Sequence, residues 1–156
     1  MPTPSARLAK LGLELPPVTV PLAAYVPSKL TGTSVRSSGQ LPFVNGELVG
    51  IGKVGSDLTV DDAYVAARAC ALNALAAVAE AAGGIDSIVS ITHVTGFVAS
   101  DPSFYDQPKV VNGASDILGE IFGDRGKHTR SAVGVVALPM NVPVEVEITC
   151  ELVSSD

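Results

Sequence analysis

Few side chains in this sequence could do chemistry, and most of them lack the company that chemistry needs. The two histidines, His93 and His128, have no partner at metal-ligand spacing, and no Ser/His/Asp order presents itself as a triad. Cys70 and Cys150 lie 80 residues apart with no CxxC and fall on apolar segments, so they read as small buried thiols. Gly50-x-Gly52-x-x-Gly55 matches a dinucleotide-binding string. It lacks the preceding βαβ unit and the helix N-terminus that would meet a phosphate, so that reading is rejected. What remains is Arg130, at the mouth of the uncharged run Ser131–Leu138, and Glu145 on the next apolar-alternating segment. A guanidinium offers a planar fork to a carboxylate, and a carboxylate can hold or activate a water.

The elements that must position these two groups belong to one domain. The chain has 156 residues, 47% of them hydrophobic and 17% charged, enough for one sizeable core but not two. Formal net charge is −6, from 10 basic against 16 acidic residues, which argues against sequence-independent binding along a nucleic-acid backbone. Aromatics are 4% with no Trp, so base-stacking platforms are not expected either. Met1–Lys10 lacks a signal-peptide h-region. The longest apolar run is Ala-rich and broken by Asn73 and Glu80, so no membrane span is expected and the cytoplasm is the default compartment.

Residues 1–22 carry five prolines and read as an extended, surface-hugging arm with a short helix over Ser5–Gly12; residues 23–156 read as the domain. Ala23–Val26 and Thr33–Ser38 are predicted as strands joined by a turn at Pro27–Gly32. Asn45-Gly46 marks a hairpin. Thr59 caps a helix running to Ala82 and stopped by Gly83-Gly84. Val89–Val98 alternates as a strand, with Val89, Ile91, His93, Thr95 and Phe97 on one face; His93 there reads as a core or interface histidine. Asp101-Pro102 looks like a helix start, but Pro108 interrupts, which puts the second helix at Lys109–Phe122. His128 falls in a polar loop and reads as solvated. Ser131–Leu138 and Val144–Val153 are the last strands, the latter turning Glu145, Glu147 and Glu151 away from the core. The order ββ(β)αβαββ implies an α+β fold: one sheet with two helices on one face, the other face solvated or buried in a polar oligomer interface.

Five segments in order resemble the YjgF/Rid family of reactive-intermediate (imine/enamine) deaminases, also described as perchloric-acid-soluble endoribonucleases. They are Ser38-Gly39-Gln40-Leu41-Pro42, Leu72-Asn73-Ala74-Leu75 through Glu80-Ala81-Ala82-Gly83, Thr129-Arg130-Ser131, Leu138-Pro139 and Val144-Glu145-Val146-Glu147. The likeness runs from about Ala23 to Leu152 and points to a longer-chain branch. It implies a chorismate-mutase-like fold, assembled as a homotrimer with a central barrel and sites between subunits. It implies Arg130 as the carboxylate clamp, Glu145 as the residue that positions the hydrolytic water, and Tyr25, Ser38 and Asn112 as substrate-binding residues. No cofactor is implied. The family's cysteine two residues after the arginine is Ala132 here, where the backbone would remain as a contact. The implied activity is hydrolysis of 2-imino or 2-enamine acids to 2-keto acids and ammonia. The alternatives are a trimer that binds small carboxylates without turnover, or an endoribonuclease.

Overall fold

The computed structural model describes residues 1–21 and 23–154. Its elements are α1 (Pro4–Lys10), β1 (Ser28–Thr31), β2 (Ser34–Ser37), β3 (Phe43–Val44), β4 (Glu47–Leu48), α2 (Val60–Ala82), β5 (Ile88–Ala99), α3 (Gln107–Phe122), β6 (Thr129–Val135) and β7 (Val144–Leu152). Five strands form one sheet in the order β1-β2-β7-β5-β6, while β3 and β4 form a separate small hairpin. Among the described strands only β5 and β6 pair in parallel, and α3 is the crossover that such a pair requires. Helix α2 packs over β7 and β2, and α3 over β5 and β6. The core lies between that helical layer and the sheet.

Local chemistry fixes the long helix. Thr59 Oγ1 accepts from the Asp62 N–H while the Asp62 carboxylate accepts from the Thr59 N–H, a reciprocal cap. Such a cap contributes about 1 kcal/mol. Gly83 ends the helix at φ 81°, left-handed backbone that favours glycine. Helix α2 has the length and apolarity of a membrane span, yet two thirds of its most apolar window is buried inside the fold. Its alanines bring α3 very close: a Cβ on Gly113 would stand 2.1 Å from the Tyr64 carbonyl oxygen. Asn73 is buried on α2 and donates through Nδ2 to Leu41 O (3.0 Å) and Phe43 O (2.9 Å), pinning the approach to the β3–β4 hairpin. In that hairpin Asn45 and Gly46 take φ of 52° and 80°, as the Asn-Gly pair predicts. At the N-terminus, α1 buries Leu8 in the common core, and Ser5 hydrogen-bonds Asp86 through its backbone N–H (2.9 Å) and its hydroxyl (2.6 Å).

Four expectations need correction. The first strand is Ser28–Thr31, inside the segment read as a turn; Ala23–Val26 is irregular. Strand β1 is a sheet edge and mostly exposed, so it carries no apolar alternation to read. Asp101 does not cap a helix: its Oδ1 accepts from the Ser103 N–H (2.9 Å) in a turn, and α3 begins at Gln107 with Pro108 in its first turn. Strand β6 spans Thr129–Val135 rather than Ser131–Leu138. Last, the faces of β5 are not those of strict alternation. Register shifts between Ile88 and Ser90 and between Ile91 and His93 slip the phase, so Ile88, Ile91, Val94, Gly96 and Val98 face the core. His93, Thr95 and Phe97 face the opposite side.

Candidate active site

Register assigns the two candidate groups to opposite faces of the sheet. Arg130 pairs with Val94, whose side chain is fully buried beneath the helices, so Arg130 points to the helical side. Glu145 pairs with Phe97 and stands between buried Val144 and Val146, so it points to the open side. A single chain therefore does not bring Arg130 and Glu145 together. It builds two separate clusters.

The first cluster lies where α3 crosses the start of β6. Arg130 Nη1 donates to Asn112 Oδ1 (2.8 Å) and to Ser115 Oγ (3.1 Å), and Nη2 donates to Pro108 O (3.3 Å). Asn112 and Ser115 are three residues apart, hence on one face of α3. All three acceptors are neutral. Among the described residues no Asp or Glu forms an ion pair with Arg130. The guanidinium is half-buried, oriented and without a counter-ion, with Nε–H and one Nη2–H unclaimed among the described residues. Two free donors are what a carboxylate needs. Ala132 lies two residues further along β6, level with Gly96, on the sheet's edge strand.

Behind Arg130 stands His128, which is half-buried rather than solvated as expected. Its Nδ1 is 2.6 Å from Gly126 O and its Nε2 is 2.9 Å from Ser115 Oγ. Burial, and then the charges of Arg130 and His93, push its pKa below the ordinary value against the pull of the Gly126 carbonyl. Sequence reasoning missed Ser115. The available signal was its spacing of three from Asn112, which acquires meaning only once β6 is known to lie under α3.

The second cluster forms where the chain leaves the β2–β7 ladder and rejoins it. The ladder ends near Arg36–Thr149, Ser37 Oγ accepts from the Ile148 N–H (3.0 Å), and Gln40 re-pairs with Val146. The intervening residues step away from β7. Ser38 turns back to Val26 and Pro27, its Oγ donating to Val26 O (2.6 Å) and its N–H to Pro27 O (2.7 Å). That contact puts exposed Tyr25 next in chain to a fixed point. Gly39 leaves room for Glu145, since a Cβ there would fall 2.0 Å from Glu145 Oε1. Half-burial, and next the charge of Glu147, raise the Glu145 pKa above its ordinary value. Glu147 itself pairs with Arg36 at 2.9 Å. Ser38 and Gly39 thus meet Glu145 at one place, with Tyr25 near Ser38 only through the chain, and Asn112, Arg130 and Ala132 lie at another.

Relatives share this architecture over nearly the whole chain. Residues 5–152 match the model of the family described as "YjgF/chorismate_mutase-like, putative endoribonuclease". Protein TCP17 of Trypanosoma cruzi is 40% identical over 149 residues, covering 95% of this chain and 93% of that protein. The crystal structure of a "putative endoribonuclease" from Shewanella oneidensis is 38% identical, with a TM-score of 0.93 over 97% of this chain and 100% of that one. TdcF of E. coli, solved with bound serine, is 26% identical, with a TM-score of 0.63 over 87% of this chain and 94% of its own. The match begins in α1, so most of the proline-rich arm lies within it. With the mixed sheet, the two helices on one face and matches of this length in hand, the chain belongs to the YjgF/chorismate-mutase-like family.

Proposed function

We propose that this protein hydrolyses reactive 2-imino and 2-enamine acids to 2-keto acids and ammonia, without a cofactor, at sites between the subunits of a homotrimer. The observation that carries the reading is the Arg130 guanidinium: half-buried, held by three neutral acceptors, and lacking an ion-pair partner among the described residues. A guanidinium so oriented, with donors to spare, suits a carboxylate. TdcF, a relative, holds serine, a small amino acid that carries a carboxylate. The trimer is what the family resemblance implies, and an incomplete site in one chain supports assembly. The open sheet face carries His93, Thr95, Arg36, Glu147 and Thr149 around a hollow of about 300 Å³, and one chain leaves the two clusters apart. A neighbouring copy would bring its Tyr25, Ser38 and Glu145 to the Arg130 of the first.

In that arrangement Arg130 takes the substrate carboxylate, and the backbone at Ala132 takes the nitrogen. An enamine substrate first tautomerises to the imine; Glu145 then holds a water against the imine carbon, accepts its proton and passes it to the nitrogen. The carbinolamine then loses ammonia and leaves the ketone. Atoms balance as imine plus water giving ketone plus ammonia. The work is positioning and electrostatics, which this site can supply. A carboxylate-binding protein without turnover would use the same Arg130 cluster. An endoribonuclease, the activity after which relatives are called, fits a net charge of −6 poorly.

The test is a turnover assay on freshly generated 2-imino acids, from small to aromatic, with light scattering beside it. Release of ammonia above the uncatalysed rate, from a particle near three times 15.9 kDa, is expected. A monomer at micromolar concentration would sink the inter-subunit site. Carboxylate binding without turnover would leave a binding protein.

A further inference from the structure

We propose that Ser115 and His128 are positioning residues that hold the Arg130 guanidinium in its carboxylate-receiving orientation, through a directed chain of hydrogen bonds running from Arg130 to Ser115 to His128 to the Gly126 carbonyl. The inference rests on the reading of Arg130 as the carboxylate clamp, but its geometry stands by itself.

The direction of each bond is fixed by elimination. The Gly126 carbonyl can only accept, so His128 Nδ1, at 2.6 Å, carries a hydrogen. In neutral His128 the other nitrogen, Nε2, is then bare and accepts from the Ser115 hydroxyl at 2.9 Å. Ser115 Oγ, having spent its hydrogen, presents its lone pairs to Arg130 Nη1 at 3.1 Å. The neutral state is favoured where the ring sits: it is half-buried and close to the Arg130 cation. Asn112 anchors the same nitrogen independently, so the guanidinium plane is set by two side chains on one face of α3. Of the two, only Ser115 has its rotor fixed by a further residue among those described. Without His128 the hydroxyl hydrogen is free to turn, and the lone pair aimed at Arg130 turns with it.

The experiment is a double-mutant cycle on small-carboxylate binding, with 2-ketobutyrate as the probe and calorimetry as the readout, plus ¹⁵N NMR of the histidine ring. Ser115→Ala and His128→Ala should each weaken binding about threefold to tenfold, the worth of one anchoring bond. The double variant should be no weaker than Ser115→Ala alone, because both break one chain. His128→Gln should retain affinity, since its Oε1 can take the Ser115 hydrogen that Nε2 takes. The NMR should report a neutral ring with its hydrogen on Nδ1. Additive losses in the cycle, a His128→Gln as weak as His128→Ala, or a hydrogen on Nε2 would each overturn the relay. If the parent protein binds no carboxylate, the clamp reading fails while the ring tautomer, and its change in Ser115→Ala, still decide the relay.

Discussion

The Arg130 cluster and the Glu145 cluster are built to different standards. Around Arg130, three acceptors from α3 fix the guanidinium, and one of them is itself held from behind. Around Glu145 the arrangement depends on an absent side chain at Gly39 and a step out of the β2–β7 ladder. The first is finished within one chain. The second is shaped but open, on the sheet face that no helix covers. Binding and turnover should therefore separate by mutation.

The largest effect is expected at Arg130. Arg130→Ala should leave the fold intact, because the residue sits at the entry of an edge strand, and should abolish small-carboxylate binding and deamination together. Losing a charge-assisted pair costs about 2–5 kcal/mol, which calorimetry would read as roughly 30-fold to several-thousand-fold. Arg130→Lys should recover little, since an ammonium cannot serve Asn112, Ser115, Pro108 and a substrate at once. Carboxylate binding unchanged in Arg130→Ala would erase the distinction between the two clusters.

Next come two variants of the open cluster. Glu145→Gln should keep carboxylate affinity and lose turnover by about 100-fold or more, the usual scale of a lost general base. Gly39→Ala should do the same without touching a charge, because its Cβ must evict the Glu145 carboxylate. The evicted group is the tip of a flexible side chain, so thermal stability should fall little. Steady-state rates beside binding isotherms check both. A Gly39→Ala that turns over normally would show that Glu145 acts from elsewhere or not at all.

A smaller effect concerns pH. In the proposed mechanism Glu145 acts ionised, so activity should fall as pH drops through its pKa, above the ordinary glutamate value. Glu147→Gln removes a neighbouring negative charge and frees Arg36, and both changes favour the Glu145 carboxylate. The acid limb of the rate profile should shift to lower pH. An unmoved limb would assign it to another group. The smallest effect is expected from Ala132→Cys, which adds a thiol where the proposed contact is the backbone; the rate should stay within about threefold, the effect of roughly half a kcal/mol.

The parts of this molecule readable in sequence are those written in local chemistry. Thr59, Asp62 and Gly83 bound α2, and Asn45-Gly46 sets a turn, because each acts on backbone within a few residues. The parts that were not readable depend on register. Nothing in Ile88–Ala99 announces the two slips against β7, yet they decide that His93 faces outward and Val94 inward. Through the Val94–Arg130 pairing they also decide on which side Arg130 lies. Ser28–Thr31 was hidden because an exposed edge strand needs no apolar face. The role of His128 was hidden because Ser115, which meets it, is on a helix that reaches it only after the crossover.

The parallel pairing of β5 and β6 has a consequence for the order in which the molecule folds. Strand β5, helix α3 and strand β6 follow one another directly, and the bond from Arg130 to Asn112 spans only 18 positions. The open cluster depends on pairing the front of the chain with its end, as Ser37 does with Ile148 across 111 positions. Closing the longer loop costs more chain entropy and defers its reward. The Arg130 contacts therefore form through a short closure within β5, α3 and β6, and the Glu145 side forms only when the last strand has joined the front of the chain. A folding chain would thus hold the first cluster before it holds the second.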